Sequence, residues 1–250
     1  MKLRSIICFL TAILLGVLRI FVIKNSVEVE SGFYVKGDAL ATVFTVLCVA
    51  VIVLFAVVAL SFKGKKHREN MSGGKFVLAS SAIFAAALVW CGVDGILSGN
   101  TLAGALAVIG GIAVIIGAPA HVMPEKASYL PVFLIVPSVW GVYNLITVFR
   151  KFSTIVTISD YLLQTLSLTA LLLFIFYSAK AFVDGSSSAI LHFSAYATFL
   201  GVFTTALPSI YFTLSREAVF CTPFTSDFAV LASMLVYAPS IIYTVERNEI

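Results

Sequence analysis

The chain has 250 residues, 60% of them apolar and only 11% charged, with a mean hydropathy of +1.07. A soluble domain carries about 25% charged residues, so a soluble globular fold is excluded. Sixteen Lys and Arg against twelve Asp and Glu leave a net charge of +4, and charges this sparse form no basic face for nucleic acid. The composition predicts an all-α polytopic integral membrane protein with a single membrane domain over residues 1–250.

A transmembrane helix needs about 20 mostly apolar residues to cross about 30 Å of hydrocarbon. Eight stretches qualify: 5–23, 39–62, 76–98, 102–122, 129–149, 155–180, 188–212 and 226–245. The first begins after Lys2 and Arg4 like a secretory signal, but Arg19 and Ile20 stand where a small-residue cleavage site belongs, so it reads as a retained anchor. The loop from Lys24 to Asp38 is the longest outward segment and too short for a folded ectodomain. The third and fourth spans are separated only by Ser98, Gly99, Asn100 and Thr101, which predicts a tight turn. A re-entrant hairpin there, leaving seven crossings, is the alternative.

The loop Lys63 to Lys75 holds Lys63, Lys65, Lys66, Arg68 and Lys75 against Glu69 alone. Placing it in the cytoplasm puts both termini inside, with ten Lys and Arg inside and five outside, which satisfies the positive-inside rule for a bacterial plasma membrane. The outward pair Arg150 and Lys151 is the feature that favours the seven-span alternative. The same loop is a candidate contact for anionic lipid or a partner, at about 1 kcal/mol per basic residue near the surface. Cys8, Cys48 and Cys91 fall inside spans and only Cys221 near the outer face, so no disulfide framework is expected.

Residues 1–123 and 129–250 show collinear matches that suggest two parallel four-helix repeats. Gly16-Val17-Leu18-Arg19 lies over Gly141-Val142-Tyr143-Asn144, Asp38 over Asp160, and Ala118-Pro119 over Ala238-Pro239. An axis along the membrane normal would relate them, with a site between the halves.

Ionisable groups inside spans point to function, because each costs about 2.5–3.5 kcal/mol at the bilayer centre on insertion scales. Arg19, Asp94, Asn144, Asp160, Gln164 and Asp227 fall in one layer about one to two turns below the outer surface. Such a layer reads as a polar vestibule, with Arg19 and Asn144 contacting a solute and Asp94 and Asp160 available for ion or proton coupling. Trp90, Trp140 and Tyr143 sit deeper, as candidate cavity lining. The fourth span has small residues at 103, 107, 111, 113 and 117, a stripe for close helix approach.

His121 and His192 lie at the inner ends of spans without a third ligand at metal spacing, so no metal site is expected. Ser72-Gly73-Gly74-Lys75 imitates the end of a phosphate loop, but Glu69 and Phe76 replace its first glycine and its Ser/Thr. No nucleophile elbow or zincin motif occurs, Lys180 is too near a span end for a retinal Schiff base, and no cofactor is expected. The leading expectation is a small-molecule transporter or permease-like protein with a polar site in the outer half of the bundle. The alternative is a structural or regulatory membrane protein that binds a partner subunit, a second copy or anionic lipid through the small-residue stripe and the basic loop.

Overall fold

The computed structural model describes residues 2–28, 30–63, 74–121, 130–152, 159–184, 189–216 and 225–247. Eight helices in it are long and apolar enough to cross a membrane: α1 Leu3–Ser26, α2 Ala39–Leu60, α3 Gly74–Leu97, α4 Thr101–Ala120, α5 Leu130–Arg150, α6 Asp160–Val183, α7 Ala189–Ser215 and α8 Ser226–Arg247. The protein is an all-α polytopic membrane protein. Of the basic loop, Lys65, Lys66 and Arg68 lie outside the described residues, and only the flanking Lys63 and Lys75 are within them.

Local chemistry sets the helix ends. The Asp38 carboxylate caps α2 by accepting from the Leu40 and Ala41 amides at 3.2 and 3.3 Å. Between α3 and α4 the chain reverses at Gly99, whose φ of +89° suits glycine. Both flanking helices have full spanning length, 24 and 20 residues. Each is long and apolar enough to cross on its own, as the eight-span reading expects. In α7, Pro208 offers no N–H and its ring crowds the carbonyl four residues back. The helix answers with a π turn at Val202–Ala206. There the Leu207 amide reaches back five residues to the Val202 carbonyl, and the Thr204 and Thr205 hydroxyls donate to the Leu200 and Gly201 carbonyls at 2.9 and 2.6 Å.

The helices divide into a centre and a rim. Within their apolar stretches α7 is 72% and α8 67% buried, against 17% for α2. Helix α8 packs on α3 and α7, and α7 also contacts α1, α2 and α6; α4 joins α3 to α5, and α5 leads on to α6. Both chain ends lie at one end of the bundle, where the Lys2 amide and the Ser5 hydroxyl donate to the Glu246 carboxylate. That end is called the terminal end below, and the opposite one the distal end.

The small-residue stripe of α4 is used inside the chain. A Cβ on Gly92 would lie 2.5 Å from Val108 Cγ2, one on Gly104 2.5 Å from the Gly92 carbonyl, and one on Gly111 2.9 Å from the Ala85 carbonyl. Helices α3 and α4 therefore touch backbone to backbone, gaining dispersion contacts where the hydrophobic effect gives helices in lipid no reason to associate. Gly110 likewise meets Pro137 of α5. The stripe, read from sequence as one for close helix approach and, in the alternative reading, for a partner, is thus covered by α3 and α5. This packing also explains Trp90, which sequence placed among cavity-lining residues: with the small residues of α3 turned inward, the indole has no room there and is 56% exposed on the lipid-facing surface.

Replacing Gly104 with Val is expected to lower stability by about 1–3 kcal/mol through overpacking, whereas Ile109→Val on the lipid-facing side stays within about 0.5 kcal/mol. Thermal unfolding of both variants in one detergent checks this; equal melting temperatures would refute the close α3–α4 contact.

Candidate functional site

Arg19 lies about 10 Å along α1 from its distal end at Ser26, yet only 1% of its surface is exposed. A guanidinium at that depth must be paired. Its Nη2 donates to Asp160 Oδ1 of α6 at 2.8 Å, forming an ion pair, and Nη1 donates to the Tyr34 hydroxyl at 2.6 Å. The cation also lies 5.3 Å from the Phe44 ring centre of α2 and 5.7 Å from that of Tyr34. Tyr34 is delivered by the α1–α2 loop, which folds back on itself: the Val35 amide donates to the Ser26 carbonyl and the Glu28 amide to the Phe33 carbonyl, both at 2.9 Å.

One turn below Asp160 on α6 sits Gln164, 8% exposed, whose Oε1 is buried with no hydrogen-bond partner among the described residues. Leaving a buried amide unsatisfied costs about 1–3 kcal/mol. Native structures keep such groups where a water, an ion or a ligand completes them. The π turn of α7 packs against α1, α6 and α8, and the residue before it, Gly201, meets Ser167, one turn from Gln164 on α6.

The rest of the predicted layer forms a second cluster, between α3, α5 and α8. The Cys91 thiol donates to Asp227 Oδ1 at 3.2 Å, Asn144 hydrogen-bonds to the same carboxylate, and the Ser226 hydroxyl donates to the exposed Asp94 at 2.7 Å. Arg19 and Asn144, read from sequence as one solute-contacting pair, each engage a separate carboxylate, Asp160 and Asp227. Trp140 is buried in the apolar core one turn from Asn144, and Tyr143 is half-buried beside it.

Below the polar layer the centre of the bundle is aromatic. Phe9 meets Phe199 edge-on at 4.5 Å, and Tyr237 stacks on Phe84 at 5.2 Å and meets Phe174 at 5.8 Å. At the terminal end Glu246, 7% exposed, gathers Ser5 and the Lys2 amide, and Ser5 in turn lies 2.6 Å from the Tyr196 hydroxyl. His192 is buried here, its ring stacked on Phe62 at 3.9 Å. Sequence reasoning missed Glu246, which looks like an ordinary charge flanking the last span; the side chain of His121 lies outside the described residues. Among the described residues no group of three or more His, Cys, Asp or Glu is placed to hold a metal ion.

The chain matches no family model, and it has no significant similarity to a curated protein or to a solved structure.

Removing one member of the Arg19–Asp160 pair should destabilise by about 3–5 kcal/mol, because the other charge is left buried alone, while removing both should cost much less than the sum. Unfolding of Arg19→Met, Asp160→Leu and the double variant measures the coupling. Additive losses would mean that the two side chains do not depend on each other.

Proposed function

We propose that the protein is a transporter or permease-like protein that binds a small solute in the distal half of its bundle, with the distal end facing out of a bacterial plasma membrane and both termini cytoplasmic. The observation that carries this reading is the buried, unsatisfied Oε1 of Gln164 one turn below the Arg19–Asp160 pair. A solute donor group would complete Oε1 and remove the cost of leaving it bare. Because Arg19 and Asp160 cancel in charge, the site suits a neutral or zwitterionic polar group better than a simple anion.

Two further features agree with solute handling. The π turn of α7 belongs to a class of helix defect that occurs frequently at functional sites. The aromatic centre and the Ser5–Glu246–Tyr196 contacts close the terminal end, as a site open to one side at a time requires. Asp94 and Asp227 supply carboxylates in the same layer for ion or proton coupling.

Thermal unfolding of the purified protein against amino acids, sugars, nucleosides, vitamins and single-chain amphiphiles tests the reading. A solute at 100 times its Kd should stabilise the parent by about 2.7 kcal/mol, and Gln164→Leu should abolish the shift while folding normally, since it removes the unpaired Oε1 and keeps a side chain of similar size. The reading fails if neither a soluble compound nor a single-chain amphiphile stabilises the parent, or if the shift survives in Gln164→Leu.

A further inference from the structure

An apolar groove of about 240 Å³ runs along α7 between α2 and α6, lined by Cys48, Leu173, Phe193, Gly201 and Thr204 among others. It exceeds the roughly 150 Å³ of a cavity that takes up benzene. Helices α2 and α6 each pack on α7 and leave the groove between them. In the membrane such a groove faces hydrocarbon, so its occupant is an alkyl chain or ring.

On two of its helices the groove wall comes within one turn of the polar site. On α2, Cys48 lies one turn from Phe44, whose ring faces the Arg19 guanidinium. On α6, Ser167 at the groove wall lies one turn from Gln164, and on α7 Thr204 belongs to the π turn. On α2 and α6 the wall thus lies within about 5 Å along the helix, one turn, of residues at the polar layer. Helix α7 can come this close to α6 because residue 201 is glycine: a Cβ there would lie 2.4 Å from Ser167 Oγ.

We infer that groove and polar layer form one site for a single-chain membrane amphiphile, its neutral or zwitterionic head at Gln164 and the Arg19–Asp160 pair, toward the distal end, and its hydrocarbon in the groove between α2 and α6. The inference rests on the solute-binding reading above and names the class of solute.

Photolabelling tests it, with the protein in phosphatidylcholine nanodiscs and a lysophosphatidylcholine probe carrying a diazirine in its chain. Labelling should saturate and concentrate on peptides holding Cys48, Leu173 and Phe193. It should fall at least about tenfold in Ala197→Phe, which fills the groove, and about fivefold in Gln164→Leu, the size expected for one lost buried hydrogen bond. Ala197→Leu, a smaller plug, should give an intermediate loss, and keeps the test valid if the Phe variant unfolds. Unsaturable labelling spread evenly over lipid-facing positions such as Val46 and Val53 overturns the inference, as does groove labelling indifferent to Gln164→Leu. If a soluble solute still stabilises the protein through Gln164 while the groove stays unlabelled, the polar-site reading stands and this inference alone fails.

Discussion

The ion pair between Arg19 and Asp160 constrains the distal half of the molecule. A guanidinium carried this far into a span has no water to fall back on, and its five donors accept only partners fixed in a plane around it. Asp160 brings the start of α6 against α1, Tyr34 folds the α1–α2 loop over the cation, and Phe44 sets α2 beside it. One turn further in, Gly16 permits the close approach of α1 to the π turn, since a Cβ there would lie 2.5 Å from that of Phe203. Helices α1, α2, α6 and α7 thus owe their mutual position at this end to one charge and one missing side chain.

Read from end to end, the bundle alternates in polarity. Its distal end holds two polar clusters, each joining helices distant in sequence: Arg19 with Asp160, and Asn144 and Cys91 with Asp227. The centre is aromatic and aliphatic, and the terminal end returns to a buried carboxylate, Glu246, that joins the first helix to the last. Hydrogen bonds and ion pairs are the specific contacts available to helices in lipid, where apolar surface does not choose between protein and hydrocarbon. The close glycine contacts of α3 and α4 supply the remaining cohesion on the other side of α8.

Much of this was legible in the sequence because a bilayer makes sequence unusually explicit. The eight spans follow from hydropathy, and α1 and α8 extend beyond the expected 5–23 and 226–245 only because helices continue through flanking residues such as Lys24 and Glu246. The polar layer stood out because charges inside spans are rare. Which carboxylate meets Arg19 was not legible, since it depends on the order of helices in space, and nothing in a loop tyrosine marks Tyr34 as a lid over a buried cation. The groove was invisible for a related reason: Leu173, Ala197 and Thr204 have the composition of any lipid-facing surface, and only the splay of α2 from α6 makes a cavity of them. Trp90 shows the converse error, where a large side chain suggests an interior role that close helix packing denies it.

The central claim is that Gln164 belongs to a solute site reached from the distal end, which the proposed function places outside the cell. In a background with the native cysteines replaced, Gln164→Cys can be exposed on intact cells to a membrane-impermeant thiol reagent. The account predicts modification from outside the cell, slowed by a bound solute, with Trp140→Cys in the apolar core unreactive. A cysteine at 164 that reacts only from the cytoplasmic side, or from neither side, would contradict it.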